Sequence, residues 1–521
     1  MDKSVKAPED PRPLAEATIR LHANDDVVIA RRPTAPGTVL TGGGFTLTVA
    51  DDVPAGHKIA TGPLASGAPV RKFDQIIGFT TRDIAAGEHV HNHNVSFGDF
   101  ERAYVVGEAQ RPTDFVPETE RATFQGIVRA DGRIATRNYL AVLTSVNCSA
   151  SAARYIADEF RGSALDNHPN IDGVIALSHH TGCGMGKAAD GFAYLRRTLA
   201  GYARHPNIAG FVLLGLGCEV NQVADLFSEL GLTEGPMGQF MTIQGAGGTA
   251  AAVREGKAAL TAMLDEANDI TRQPTPASHL TLGLECGGSD GFSGITANPA
   301  LGQAVDLLVR HGGTAILGET PEIYGAEHLL ARRAASAEVG EKLMDRIRWW
   351  EKHADVNGVE LDNNPTPGNR AGGLTTILEK SLGAAAKGGT TNLMDVYRYA
   401  EPVTEKGFVF MDTPGYDPVS ITGMVAGGAN IVCFTTGRGS VFGCKPSPSL
   451  KLATTSDLYG RMTDDMDINC GKIADGEIDV EGMGAEIFET ILRTASGEPS
   501  KSEALGIGED EFVPWQVGAV L

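Results

Sequence analysis

Two textures of apolar and polar positions divide the chain. Over residues 16–97 the apolar runs are short and alternate with polar residues, as in ATIRLHANDDVVIA, TLTVADDVPAGHKIAT and QIIGFTTRDIAAGEHVHNHN. Pro-Gly, Gly-Gly-Gly, Pro-Ala-Gly and Ala-Ala-Gly turns separate them, and this pattern predicts a small all-β domain. Residues 98–121 are polar, centred on RPTDFVPETER, and predict a linker. From 122 onward, strands alternate with helical stretches. YLAVLTS, GVIALSHH and GFVLLGLG read as strands, with helices such as SAARYIADEFRG and GFAYLRRTLAGYARH between them. GTAAAVREGKAALTAMLDEAND closes this second unit, 122–270. A third, 279–515, opens with SHLTLGLECGGSD and continues through GTAILGETPE, GFVFMDTPGYD, NIVCFTTGRG and LKLAT. Purely apolar short strands suit parallel sheets covered on both faces. The expected architecture is a small β domain followed by two α/β domains with mostly parallel sheets.

Composition narrows the function. The 521 residues carry 44 Lys+Arg against 65 Asp+Glu, a net charge of −21, which argues against a nucleic-acid partner. An anionic ligand is repelled at long range by such a chain, so an anion site must be locally basic. The 65 glycines are nearly twice the roughly 36 of an average chain and cluster between apolar runs, where backbone turns sharply or approaches a ligand. No apolar stretch approaches the ~18 residues of a membrane span, and the first twenty residues hold no apolar signal core. Seven cysteines, an odd number, suit a reducing cytoplasm better than a disulfide scaffold.

In open α/β sheets ligands bind beyond the carboxyl ends of the strands. The residues just after each apolar run are therefore the first suspects. They include Asn147 with Cys148, His179 with Cys183, Cys218 with Glu219, and Cys286 with Ser289 and Asp290. Glu319, Asp412, Thr436 and Arg438 follow later. Cys148, Cys183 and Cys218 are spaced 35 residues apart, one strand–helix unit each, so they sit at equivalent strand ends. They can converge on a metal or a substrate, or simply pack beside glycine. In the β domain, His22 and Asp25 flank a turn, His57-Lys58 follow another, and His89, His91 and His93 alternate along an extended segment. Imidazole with carboxylate suits divalent iron, manganese or zinc, whereas a solvated strand face is the plainer reading of the alternating histidines. The Gly-rich stretches at 182–184 and 215–217 lack the full dinucleotide fingerprint, and no P-loop is present, so no nucleotide cofactor is expected. The loops around Asn369-Arg370 and Arg438 are better anion-binding candidates, through backbone N–H groups and a guanidinium.

Taken together, LHANDDV, AGHKIA, GEHVHNHN, TRNYLAVLTSVNC, SHHTGCG, GLGCEVNQ, LECGGSDGFSGITANPALG, NNPTPGNRAGG and TTGRG resemble the altronate/galactarate dehydratase family over essentially the whole length. The resemblance implies an N-terminal SAF domain of β-clip fold over 16–97. It also implies dehydration of a sugar acid to a 2-keto-3-deoxy acid, with Fe2+ (or Mn2+ or another divalent ion) as activator. The family pattern is matched at His22, Asp25, His57, Lys58, Asn138, Cys148, His179, Cys183, Cys218, Glu219, Cys286, Ser289, Asp290, Ser293, Thr296, Asn298, Asn369 and Arg438. EHVHNHN looks more like the altronate branch, while Cys433, Cys444 and Cys470 fall outside the shared pattern and are read as packing residues.

On this basis His22, Asp25 and His57 are expected to hold the metal, with Cys148, Cys183, Cys218 and Cys286 as the alternative ligand set. Lys58 or His179 is expected to move the proton. Asn138, Ser289, Asp290, Ser293, Thr296, Asn298, Asn369 and Arg438 are expected to bind substrate, Arg438 and the Asn369 loop at its distal end. The arrangement requires the SAF domain to fold over the strand ends of an α/β domain. A galactarate dehydratase, a sulfolactate sulfo-lyase and a non-catalytic sugar-acid-binding protein are the alternatives. A cytoplasmic homo-oligomer, a dimer, without membrane or nucleic-acid partners completes the expectation.

Overall fold

The computed structural model describes residues 11–42, 45–100, 102, 104–229, 231–232 and 234–518. Short strands separated by turns build the N-terminal domain as three small sheets. One is antiparallel, Thr18–Ile19, Val27–Ala30, Lys58–Ala60 and His89–Val90, with Lys58 opposite Val90 and Ile59 opposite His89. The alternating histidines do not form one continuous strand. Pairing ends at Val90, and His91 enters a turn closed by its own N–H donating to Asn94 Oδ1 (2.9 Å).

The middle domain is a four-stranded parallel sheet in the order Gly173–Leu177, Tyr139–Thr144, Ile208–Gly215 and Gly238–Thr242. Helices Ala150–Asp158 and Thr249–Asn268 cover one face and Asp190–Ala203 the other. Its first strand, Thr123–Val128, belongs elsewhere. It pairs with Arg272–Pro276 and Ile134–Ala135 in a small antiparallel sheet.

The C-terminal domain is a seven-stranded, wholly parallel sheet. Its order is Leu393–Tyr397, Gly407–Met411, Thr314–Leu317, Thr281–Cys286, Ile431–Thr436, Ser449–Ala453 and Ile468–Asn469. Gly407–Met411, Ile431–Thr436 and Ser449–Ala453 are buried at every position, as strands covered on both faces must be.

The cores run across the domain boundaries. Val27, Ile29, Val70, Ile77 and Val90 of the β domain form one apolar cluster with Ile295, Leu382 and Ala385 of the C-terminal domain. Tyr194, Leu195 and Leu199 of the middle domain likewise share a cluster with Val409, Val432 and Phe434. Apolar burial of roughly 25 cal/mol per Å² therefore fixes the β domain where it lies. Residues 98–121 run along the C-terminal domain, Gly107 N–H donating to Ala331 O (3.1 Å) and Val116 N–H to Arg310 O (2.8 Å). No described helix is long and apolar enough to cross a membrane.

Candidate functional site

The strand order of the large sheet reverses between Thr281–Cys286 and Ile431–Thr436, and the crevice beyond such a switch point is where open α/β sheets bind ligands. The two loops leaving these strands are stitched together there. Gly437 and Arg438 both donate backbone N–H to Gly288 O, at 3.1 and 2.8 Å. A cleft of about 820 Å³ opens at this place, lined by Asp290, Phe292, Gly372 and Arg438 and, from the β domain, Arg31 and Pro54-Ala55. The β domain thus covers the strand ends of the C-terminal domain. The fit is backbone to backbone: a Cβ at Gly291 would strike the carbonyl of Gly56, and one at Gly373 would crowd the same carbonyl.

Just behind this contact lies a nest of imidazoles. His57, His89 and His91 each offer a ring nitrogen within 4.8 Å of the others. His57 Nδ1 is 3.0 Å from His89 Nε2, and the His57–His91 and His89–His91 ring centroids are 4.9 and 5.3 Å apart. The second His57 nitrogen faces Ala371 O of the cleft wall at 3.4 Å. Burial, then the charge of Lys58, lowers His57 below its ordinary value. Burial and neighbouring basic groups bring His89 to about 4 and His91 to about 3. All three rings are neutral at pH 7, the state that ligates metal. His91 Nδ1 is buried without a hydrogen-bond partner, so the nest fits a divalent transition ion.

Beside the nest, Lys58 is fully enclosed. Its ammonium donates to Gly373 O (2.6 Å) and to both Glu379 oxygens (3.1 and 2.8 Å), and Lys72 Nζ meets Glu379 from the other side (2.9 Å). Desolvation lowers Lys58 to about 8 despite its carboxylate. Burial alone would raise Glu379, yet Lys58 and Lys72 hold it far below the carboxylate range. Sequence reasoning missed Glu379 and Lys72. The signal was available in ILEKSLGAAAK, where charges interrupt an otherwise apolar helix, Ile377–Ala386.

The expected ligand trio is not brought together. The described His/Cys/Asp/Glu groups whose ligand atoms lie that close do not include His22 or Asp25. Asp25 is buried and spends its carboxylate on the backbone N–H groups of His22 (3.0 Å) and Asp74 (2.9 Å), closing a turn, while the His22 side chain is 46 % exposed beside Asp74. Only His57 of the three enters a cluster, with His89 and His91 as partners. No such close-set group among the described residues holds more than one of the expected cysteines either: Cys148, Cys183 and Cys218 are exposed in the middle domain and Cys286 is buried in the C-terminal one.

His179 lies at a middle-domain strand end with both ring nitrogens engaged, by Thr144 O (2.9 Å) and Thr181 N–H (3.2 Å), and burial lowers it to about 4. Asn138 precedes its strand, at the end opposite the switch point. It is spent on Arg129, Asn170 O and Ala267 O. Neither residue lines the cleft, whose walls come entirely from the β and C-terminal domains.

Of the expected substrate binders in the C-terminal domain, Asp290 and Arg438 line the cleft, and the others form a buried polar network around Asp290 and the neighbouring loops. Asp290 accepts from Ser293 Oγ (3.0 Å), Thr454 Oγ1 (3.1 Å) and the N–H of Phe292. Thr296 donates to Thr454 O, and Asn298 joins Gly383 O to Thr435 Oγ1. Asn369 completes a capping box with Thr366 and donates to Ser289 O (2.8 Å). Arg438 alone of the set is exposed, and its guanidinium makes no hydrogen bond or ion pair among the described residues.

Known proteins match the chain in three stretches. Residues 16–98 match the altronate/galactarate dehydratase SAF domain and 126–268 the second domain of D-galactarate dehydratase/altronate hydrolase. Residues 277–520 match the C-terminal domain of D-galactarate/altronate dehydratase. An altronate dehydratase of Bacillus subtilis is 35% identical over 480 residues, 92% of this chain and 95% of that protein. The chain belongs to the altronate/galactarate dehydratase family. A galactarate dehydratase (L-threo-forming) of Escherichia coli is 34% identical over 92% of this chain and 93% of its own length. A (2R)-sulfolactate sulfo-lyase subunit beta of Chromohalobacter salexigens is 32% identical over 98% of its length, which spans 76% of this chain.

Proposed function

We propose that the protein is a hydro-lyase that removes water from an altronate-type sugar acid to give a 2-keto-3-deoxy acid, using a divalent ion held by His57, His89 and His91. The observation that carries this reading is the neutral imidazole nest set against a cleft at the switch point of the large sheet. Family membership supplies the reaction class, since relatives named altronate and galactarate dehydratase align over nearly their full length. The imidazole set suits Fe2+, as the family resemblance implies, and Mn2+ serves the same ligands. When bound, such an ion supplies Lewis-acid stabilisation of the negative charge that builds on the substrate carboxylate as the α-proton leaves.

The chain's own residues do the rest. Arg438, unpaired at the cleft, offers a fork for a substrate oxyanion. The Asp290–Ser293–Thr454 network and Asn369 keep the floor rigid beneath it, so the substrate pays little for orientation. Lys58, with every N–H used, is a positioning residue that locks the strand after His57 onto Gly373 and Glu379. Proton transfer falls to His93, exposed, with its ring 5.3 Å from that of His89 and outside the ligand trio.

The test is a keto-acid assay over a panel of aldonates and aldarates, paired with metal analysis. His91→Ala is expected to lose both bound metal and turnover; His93→Ala is expected to keep the metal and lose kcat. Full metal retention in His91→Ala sinks the ligand assignment, and ligand binding without turnover across the panel sinks the dehydratase. Arg438 favours one second reading. If it takes a distal carboxylate, aldarates such as galactarate are turned over in preference to aldonates.

A further inference from the structure

A second cluster of ionisable groups lies under the switch point and plays no part in the reaction proposed above. Glu285 is the last residue but one of the central strand Thr281–Cys286, Glu319 follows Thr314–Leu317, and Asp417 opens the helix Asp417–Ala426. One carboxylate oxygen from each lies within 4.8 Å of the other two. Glu285 is completely buried, and neither of its oxygens nor the buried Glu319 Oε1 receives a hydrogen bond from any donor among the described residues; the two carboxyls can join one another only by sharing a proton. Folding does not leave three such oxygens bare without cause, because each buried unpaired acceptor costs its full desolvation penalty.

The surrounding charges do not balance. Lys387 pairs with Glu319 (2.9 Å) and Lys380 with Glu322 (2.6 Å). Cys286 fills the gap between these pairs, its Sγ 3.7 Å from Glu319 and 3.5 Å from Glu322, and burial pushes its thiol well up, so it adds no charge. With all four carboxylates ionised, two lysines leave Glu285 and Asp417 uncompensated, a deficit of two positive charges. Glu319 holds its place in a left-handed conformation (φ 64°), a backbone that non-glycine residues adopt only when their surroundings impose it.

We infer that Glu285, Glu319 and Asp417 form a second cation site, built for a hard divalent ion of the magnesium and manganese class. All three donors are oxygens, which such ions prefer at about 2.0–2.6 Å, and the ion would supply the two missing charges. Half-buried Asp417 gives the site its side toward solvent. The ion ties the carboxyl ends of the two middle strands to the helix beyond them and so fixes the floor under Gly287-Gly288, against which the Arg438 loop rests. The competing arrangement satisfies the same deficit with protons. Burial and then the charge of Glu319 raise Glu285 and bring Asp417 to about 7.

The experiment uses the full-length protein, stripped with chelator and titrated with Mn2+, the bound ions being counted by electron paramagnetic resonance. Glu285→Gln and Asp417→Asn are each expected to bind one Mn2+ fewer per chain than the unaltered protein. His57→Ala/His91→Ala is expected to keep the carboxylate ion, so failure of the imidazole assignment is read separately from failure of this one. Should Glu285→Gln not fold, Asp417→Asn, on the more open side, reads the same loss. An unchanged Mn2+ count in the folded carboxylate variants overturns the inference. So does an infrared band of a buried protonated carboxyl that vanishes in Glu285→Gln yet persists in the unaltered protein at saturating Mn2+.

Discussion

The middle and C-terminal domains solve the same topological problem and end differently. Both are parallel sheets whose strand order reverses once, and both bring polar loops to the carboxyl ends of the strands at that reversal. In the C-terminal domain the β domain closes over those ends, sharing an apolar cluster with Ile295 and Leu382 and pressing Gly56 onto Gly291. There the imidazoles are driven neutral and a lysine is enclosed against a carboxylate. In the middle domain no β domain covers the ends, and Cys148, Cys183 and Cys218 face solvent. Burial lowers an imidazole in the middle domain too, but His179 stands by itself with both nitrogens engaged; the cover is what gathers three imidazoles and a lysine–carboxylate pair at one place.

Four experiments break or sharpen that contrast, in descending size of effect. Removing the anchor of the cover comes first. Glu379→Ala strands Lys58 and Lys72 in the interior, and chemical denaturation is expected to show a loss of about 3–5 kcal/mol, as for a broken buried ion pair. A stability change below 1 kcal/mol would mean that the pair does not hold the β domain down.

Acid attacks the other sheet. His179 and His205 are fully buried and lowered to about 4 by desolvation, from an ordinary 6.5. The unfolded chain takes up protons between those values and the folded chain refuses them, so stability is full above about 6.5 and falls as the pH drops toward 4. Each histidine accounts for a loss on the order of 3 kcal/mol across the window. Urea titrations at stepped pH, repeated on His205→Asn, check both the sign and a reduced slope.

At the cleft, Arg438→Ala is expected to lower kcat/KM about 10- to 100-fold, the worth of a charge-assisted hydrogen bond, with an unchanged melting temperature. An activity equal to that of the unaltered protein would place the substrate elsewhere. The smallest effect is expected at Cys148→Ser, Cys183→Ser and Cys218→Ser. At exposed positions these changes move stability by no more than about 0.5 kcal/mol, and turnover is expected to survive them. Loss of turnover in a folded serine variant would give the open sheet a share in the reaction and end the contrast.

Much of this was legible in the chain. Runs such as YLAVLT, FVLLG, GFVFM and IVCFTT announced parallel strands because nearly every position is apolar, and the shift from short alternating runs to strand–helix units set off the β domain. The edge strands Gly238–Thr242 and Ile468–Asn469 escaped notice because an edge tolerates polar and glycine residues. At the site, His57 and Arg438 stood out by type and by turn chemistry. His89 and His91 were visible as a pattern, yet nothing in their spacing showed which imidazoles would meet. His22 and Asp25 carried an equally good pattern and serve a turn instead.

The sequence by itself determined the elements, their division into a β domain and two α/β domains, and the positions just after apolar strands where chemistry can gather. Those follow from local periodicity and turn preference, which act over a few residues. Only the tertiary structure decided that His57 meets His89 and His91, that Glu379 receives Lys58 and Lys72 from more than three hundred residues away in the chain, and that Glu285 stays bare beside Glu319. Such meetings depend on which faces bury one another, and burial is a property of the assembled core.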